Sequence, residues 1–476
     1  MKKRTKLLAL LLTFIMALPL GLTACGGDVD EVNYVGTVKI GYARAGYGRE
    51  FAEAWTEGYN LAHPDEQIKF VIDDAVDSGV IGGRLETNSQ MCDIFMVLET
   101  GWHDWARAGW IEPLDDIMDD VNEDGKVFGD VLKDEYETYG IIDGKRYVLP
   151  QSGNAASGFA YDETLWKKHN LGEPPKTVDE LKALVEKINN LPCNTDADED
   201  NDIAPFAWGG MVAGYWNSPV YSWWAQYDGY DKVKEFFEME TVDVYSEENR
   251  PGLKKALELF RELICTGQGV PKNSLKGAIS KNHVLMQNDF VLGKAAMLVG
   301  VNGLQNETEK LVDPDSVFKM FYTPYIDGAK VDQETGEPIK IGISLGQDFM
   351  FIPSASQNKE LAKKFLVWIS TEEMCRSYSR YSSFVAPYYY NTENIEGVSP
   401  LTQSLLDESE GIQMLGSIYS SNPIVMQLRL GIWGGNTAPY ESMVVNNLTP
   451  SQALRNAESF ARSQWQALQN EFFGKD

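Results

Sequence analysis

The sequence predicts an α/β protein built on a parallel, doubly wound sheet, in a chain with room for two domains or two lobes. Three observations carry this. Short alternating or apolar runs take turns with longer amphipathic ones from residue 37 onward, the order a parallel sheet with helical crossovers requires. The chain has 476 residues, enough for two hydrophobic cores. Its cysteines after Cys25 (Cys92, Cys193, Cys265 and Cys375) are widely spaced with no Cys-x-x-Cys pair. They read as buried thiols, since a chain of this length needs no disulfide framework.

The elements follow in order. Residues 37–43 alternate as a strand. The next segment, 50–62, carries Phe51, Ala54, Trp55 and Tyr59 at helical spacing and is closed by Pro64. Residues 68–72 and 93–98 are the next strands. In open α/β sheets ligands sit outside the carboxyl ends of the strands, which puts 43–48 and 99–102 at the candidate site. Thr177 and Glu180 form a capping box ahead of Leu181, Leu184, Val185 and Ile188 on one helix face. Leu361, Phe365, Trp368 and Ile369 mark another helix. Thr449, Pro450 and Gln452 combine an N-cap, a proline at the first helical position and a capping residue. Leu454, Ala457, Ala461, Trp465 and Leu468 then make a buried stripe.

The N-terminus reads as an export signal. Lys2, Lys3, Arg4 and Lys6 precede a mostly apolar run over 7–20, too short for a comfortable membrane span. Ala24-Cys25 with Gly26-Gly27 resembles the bacterial lipobox, which implies cleavage before Cys25 and diacylglycerol on its sulfur. Two acyl chains suffice for stable anchoring. The expected organisation is a signal peptide over 1–24 and a lipidated tether over 25–36. The formal net charge is −28, and removing 1–24 takes away four basic and no acidic residues. A field of that sign repels nucleic acid and argues against a strongly anionic ligand.

Several runs then carry a resemblance. Residues 144–150, with 158–162 and 174–181, resemble a stretch of the extracellular solute-binding proteins of carbohydrate ABC importers, the family of maltose- and oligosaccharide-binding proteins. Residues 293–297, Ile352-Pro353 with 358–366, and 449–468 resemble further family elements in the same order. The resemblance implies a periplasmic-binding-protein-like fold: two α/β lobes, each discontinuous, joined by hinge crossings, with a sugar in the cleft between them. It implies crossings near 148–152, 297–302 and 342–349. The expected lobes are 37–150 with about 300–345, and 151–299 with about 346–476. It also implies docking onto the permease subunits of the importer.

Candidate ligand contacts follow from both lines. Residues 206–230 hold nine aromatics where the chain average of 11% predicts about three. Aromatic faces pack on the C–H faces of pyranose rings, and the same residues equally suit a core. Trp216 and Trp223 are the choices for the cleft, because Gly214 and Ser218-Pro219 read as loop around them. Glu99 and Trp102 follow a strand directly and resemble the family's post-strand ligand loop. Gln151 and Asn154, with Ser152, sit just past the first expected crossing. Asn302 and the Gln347-Asp348 pair occupy the analogous places at the others, and these are the side chains that read sugar hydroxyls. Trp433, beside Gly434-Gly435, resembles a late family tryptophan that stacks on sugar.

Asp120, Asn122 and Asp124 match the first half of a calcium loop, and Asp196, Asp198 and Asp200 match a second. The twelfth positions, Val131 and Ala207, are wrong for that loop. Both read as solvated acidic loops or structural calcium sites; no other cofactor is implied. Enzyme signals fail. The 342–346 match to G-x-S-x-G lacks a following helix and a later histidine. His63, His103, His169 and His283 have no zinc-ligand spacing. The near match to G-x-G-x-x-G at Gly46-Tyr47-Gly48 has Phe51 for its last glycine. The sequence thus predicts a monomeric, lipid-anchored binding protein on the outer face of the cytoplasmic membrane, delivering a carbohydrate to an ABC permease. A surface glycoside hydrolase and a binder of a non-sugar solute are the alternatives.

Overall fold

Strand β1 (Gly36–Tyr42) opens a mixed sheet by burying Val38, Ile40 and Tyr42. The computed structural model describes residues 33–98, 101–153, 156–195, 201–300, 303–343, 348–415, 424 and 439–473. Residues 1–34 separate from 35–476, and the second unit is the one described below.

Helix α1 (Glu50–Ala62) buries Phe51, Ala52, Trp55 and Tyr59 on one stripe. Strand β2 (Ile68–Asp73) runs parallel to β1, with Gly36 opposite Ile68. Strand β3 (Ile94–Leu98) flanks β1 on the other side, again parallel. Helix α2 (Trp102–Arg107) follows β3, and strand β4 (Leu149–Pro150) ends the first pass through this lobe.

The chain then enters a second sheet. Strand β5 (Gly158–Asp162) is buried throughout. Helix α3 (Val178–Asn189) starts at the Thr177–Glu180 capping box, with both reciprocal bonds formed. Strand β6 (Ala204–Ala207) leads to helices α4 (Asn217–Asp228) and α5 (Pro251–Ile264), which pack on each other. Strand β7 (Ala295–Val299), short helix α6 (Leu304–Thr308) and strand β8 (Phe318–Tyr322) complete the sheet, in the order β8-β5-β7-β6.

Strand β9 (Asp348–Phe351) returns to the first sheet and pairs antiparallel with both β3 and β4, giving the order β2-β1-β3-β9-β4. Helices α7 (Lys359–Trp368) and α8 (Glu372–Ser382) stay with this lobe, α8 lying against α1. Helix α9 (Pro400–Glu408) lies against β8 in the second lobe. The last helix, α10 (Pro450–Phe473), is entered through the expected box: Thr449 N–H donates to Gln452 Oε1 (2.8 Å), and Gln452 N–H to Thr449 Oγ1 (3.3 Å).

Two expectations need correction. The parallel sheet holds only for β2-β1-β3, because β9 starts beside Leu98 at the carboxyl end of β3 and so runs antiparallel. The later lobe segments are interchanged. Residues 318–322 pair with β5 in the second sheet, and 348–351 pair with β3 in the first. The expected 300–345 and 346–476 assignments therefore give way to a second lobe that keeps the chain through 343 and a first lobe that recovers it from 348 to about 390. The 297–302 crossing goes with them, since β7 and β8 share a sheet. Among the described residues, the chain leaves the first sheet after Gln151, is back in it at Asp348, and leaves that lobe again after about 390.

The lobes also touch away from the crossings. A methyl carbon on Gly46 would fall 2.7 Å from the Cα of Gly303. Beside this contact Asn306 Nδ2 donates to the main-chain oxygens of Gly46 (2.8 Å) and Ser382 (3.1 Å).

The thiols of Cys92, Cys265 and Cys375 are buried and unpaired, Cys193 is half-buried and unpaired, and burial pushes Cys92 up to about 12 and Cys265 to about 11. Thiols held protonated in this way are inert.

Candidate ligand-binding site

Four chain segments meet at the cleft end of the first sheet: the turn after β1, the turn after β2, strand β3 and the exit from β4. They line a pocket of about 300 Å3. Val76 and Met96 give it an apolar wall, and Tyr47, Asp77, Ser78 and Gln151 give it polar groups.

Gln151 is 2% exposed. Its main-chain N–H donates to the Asp348 carbonyl (2.9 Å) across the β4–β9 pair, which fixes the backbone. Its side-chain Nε2 has no partner among the described residues. A buried amide left in this state costs about 1–3 kcal/mol, a cost that a ligand acceptor in the pocket removes. Tyr47 is held by stacking on Phe384, with centroids 4.3 Å apart and planes at 21°. Its hydroxyl faces Asp348 and Ser152 yet completes no hydrogen bond of regular geometry. Burial first, then the Asp348 charge, raises its pKa well above the usual phenol value.

Asp348 opens β9. Ser152 Oγ donates to its Oδ2 at 3.1 Å. Burial raises the carboxyl pKa, and hydrogen bonds from Tyr47 and Ser152 oppose that shift. On the second lobe, Trp208 follows β6 directly and belongs to that lobe's core, and its Nε1 has no partner among the described residues.

The tryptophans expected in the cleft are core residues. Trp223 is 0% exposed and donates Nε1–H to the Pro324 carbonyl at 2.9 Å. Trp216 is ringed by the edges of Phe159, Phe206 and Phe260, at 5.9, 5.4 and 5.3 Å. The physical reason lies in Pro219, which sits in the first turn of α4 rather than in a loop, a place where its missing N–H is harmless. Trp102 stacks on His103 at 3.8 Å within the core of the first lobe. Glu99, Asn154, Asn302, Gln347, Trp433 and Cys25 lie outside the described residues, as do Asp196, Asp198 and Asp200.

The 120–124 loop uses its polar side chains internally. Asn122 Oδ1 accepts from the N–H groups of Asp124 and Lys126, both at 3.1 Å, and Asp124 Oδ2 accepts from the N–H of Glu372 at 2.6 Å. Among the described residues no group of three or more His, Cys, Asp or Glu converges on a metal position, and Asp120 joins no such group.

Tyr47 and Ser78 were absent from the expected contacts. Tyr47 lies in the 43–48 segment that the strand order had marked, but nothing in a Gly-Tyr-Gly triplet says which way its ring turns. Ser78 comes from a turn after β2, brought in only by the pairing of β2 with β1.

A profile of the bacterial extracellular solute-binding protein family matches residues 44–374. A binding protein of Brucella abortus (strain 2308) is 26% identical over 215 residues, 45% of each chain. An ABC transporter extracellular-binding protein of Pyrococcus horikoshii is 29% identical over 139 residues, 29% of this chain and 30% of that one. The chain spans less than half the length of the curated relatives it matches. Among solved structures, the GacH receptor of Streptomyces glaucescens, described with acarbose, has a TM-score of 0.61 at 17% identity and covers 91% of this chain and 99% of its own. A chitin oligosaccharide binding protein has a TM-score of 0.60 at 16% identity, covering 90% and 100%. RafE in complex with raffinose has a TM-score of 0.58 at 16% identity, covering 90% and 99%. These likenesses establish the two-lobed, periplasmic-binding-protein-like fold. With the profile extending over most of its length, the chain belongs to the bacterial extracellular solute-binding proteins.

Proposed function

We propose that this protein captures a carbohydrate, an oligosaccharide in preference to a single sugar, and delivers it to the permease subunits of an ABC importer. It does so as a monomer held at the outer face of the cytoplasmic membrane by lipid on Cys25. The observation that carries the reading is the pocket with two buried polar groups, Gln151 Nε2 and the Tyr47 hydroxyl, each lacking a regular partner beside an apolar wall. A ligand rich in hydroxyls supplies donors and acceptors on one edge and C–H faces on the other. The named ligands of GacH, RafE and the chitin oligosaccharide binding protein are of that class. Glu99, Asn154, Asn302, Gln347 and Trp433 are proposed as further contacts from their places in the sequence. Binding needs no chemical step: a ligand that prefers the closed arrangement of the lobes shifts the population toward it.

The test is calorimetric titration with maltotriose, raffinose and chitotriose, with chromatography of the sugar afterwards. Saturable binding with the sugar recovered intact is expected. Gln151→Ala is expected to weaken it by about 1–3 kcal/mol without lowering the melting temperature, because the amide it removes has no partner in the free protein. Cleaved sugar points to a glycoside hydrolase; no binding to any of the three removes the reading. For the anchor, Cys25→Ala is expected to leave the membrane fraction; co-sedimentation with membranes as in the parent sinks that part.

A further inference from the structure

The described residues that line the pocket all belong to the first lobe. A ligand brings two lobes together only if it interacts differently with their open and closed arrangements, so its pocket must be linked to the second lobe. The short helix α6 makes such a link. Leu304 anchors it in the second lobe, fully buried in one cluster with Phe290, Phe318 and Leu401. The next two side chains reach across. Asn306 Nδ2 donates to the main-chain oxygens of Gly46 (2.8 Å) and Ser382 (3.1 Å) in the first lobe. Gln305 Oε1 accepts from the hydroxyl of Ser383 (3.1 Å) in the first lobe and from that of Ser399 (2.5 Å), which caps α9 in the second. Just ahead of them glycine meets glycine: a methyl carbon on Gly303 would fall 2.8 Å from the Cα of Gly46. The residues that follow the gripped ones, Tyr47 after Gly46 and Phe384 after Ser383, stack on each other. Tyr47 lines the pocket. The second lobe thus holds, from both chain segments, the stacked pair at the pocket edge.

We propose that Asn306 and Gln305 are a positioning pair that couples closure of the lobes to the ligand pocket. With the lobes in contact, Asn306 draws the Gly46 turn and the end of α8 together and so sets Tyr47 against Phe384. When the lobes part, both of its bonds are given up to water and the Tyr47 turn is released. A ligand that packs on Tyr47 in its set position favours contact between the lobes, and contact tightens the hold on the ligand by the same factor. An asparagine suits this place because its one NH2 group carries two donors, enough for a carbonyl from each segment. An aspartate of the same shape would point a carboxylate at two carbonyl oxygens.

The inference rests on the carbohydrate-binding reading above for its ligand, and it has a signature that reading lacks. Asn306→Asp keeps the size of the side chain and removes its donors. It is expected to weaken binding by about ten-fold, the scale of two hydrogen bonds of ordinary net strength. The loss should fall on dissociation and not on association, since the parted lobes leave the first-lobe pocket open to the ligand. Gln305→Ala is expected to weaken binding by about three-fold, because only one of its two hydroxyl partners lies across the lobe boundary. Asn306 belongs to none of the apolar cores, so the melting temperature should stay near that of the parent in both variants.

The experiment has two arms. In the first, which uses no ligand, the protein is labelled with fluorotyrosine and its Tyr47 fluorine resonance is assigned by the loss of that signal in Tyr47→Phe. Asn306→Asp is expected to move this resonance, because the Phe384 ring no longer stands at a fixed place over it, and to enlarge the radius of gyration in solution scattering. In the second arm, affinities and rates for maltotriose, raffinose and chitotriose are measured for the parent, Asn306→Asp and Gln305→Ala, with scattering at saturation. The parent is expected to become more compact with ligand, and Asn306→Asp to do so less. Should the aspartate protein fail to fold, Gln305→Ala carries both arms. A Tyr47 resonance unmoved by the variant overturns the proposal whether or not any sugar binds. So does a variant that binds and compacts as the parent does, or one whose loss of affinity lies in association alone. Absence of binding in the parent with a responsive Tyr47 removes the carbohydrate reading alone and leaves the coupling of Tyr47 to the second lobe supported.

Discussion

Both lobes fill their cores with large aromatic side chains, and the first also brings polar ones to a pocket at the cleft end of its sheet. In the second lobe, the dense run over 206–230 turns inward: Phe206, Trp208, Trp216, Tyr221, Trp223 and Trp224 all belong to one core cluster. In the first lobe, fewer such groups gather at the cleft end of the sheet, where Tyr47 and Gln151 border a pocket with polar atoms lacking regular partners. Aromatic density marks where a lobe is filled. Unsatisfied hydrogen-bonding capacity that borders a pocket leaves a free-energy gain for a ligand to realise.

The comparison is broken most severely through the second lobe. Trp223→Ala removes a fully buried indole and its bond to Pro324, so a loss of about 3–5 kcal/mol in unfolding free energy is expected, read by denaturant titration. The fraction that remains folded should bind ligand as the parent does. A stable Trp223→Ala protein with impaired binding would return this residue to the cleft.

A smaller effect is expected at the contact between lobes. Gly46→Ala places a methyl against Gly303, and relief requires the lobes to separate there. Overpacking of this size costs about 1–3 kcal/mol. Solution scattering should show a larger radius of gyration for the variant than for the parent. Identical profiles and melting temperatures would mean that the contact yields freely.

The smallest expected effect sharpens the comparison by removing an alternative use for acidic side chains. Asn122 and Asp124 already hold a turn and the N–H of Glu372. Chelator in metal-stripped buffer should therefore leave the melting curve unchanged. A drop on chelation, restored by calcium, would assign a structural ion to one of the acidic loops.

Much of this was legible because it is local. The helix over Glu50–Ala62, the capping box at Thr177, the box at Thr449 and the strands near 36–42, 68–73 and 94–98 follow from side-chain periodicity and a few hydrogen bonds within one or two turns. The segment after β1 was also legible as part of a site, since strand order alone puts it at the carboxyl end of the sheet. Gln151 was marked by its place past a crossing, and the structure puts it on the pocket. The lobe assignment of the later strands and the cleft placement of the tryptophans were not legible, for one reason. Nothing local distinguishes a strand that completes its own lobe, as 318–322 does, from one that crosses back, as 348–351 does. Nothing local distinguishes a tryptophan filling a core from one lining a cleft, since the preferred residue types are the same.

By itself the sequence determined the elements, the α/β class and the segments where a ligand could be met, because these depend on periods of two and 3.6 residues and on end-capping chemistry between neighbours. The tertiary structure alone decided which lobe owns each later strand, that Trp216 and Trp223 are core, and that Tyr47 and Gln151 line one pocket. Those outcomes depend on pairings between residues as far apart as Gln151 and Asp348, where backbone hydrogen bonds accept any side chain and only the simultaneous filling of two cores selects the register.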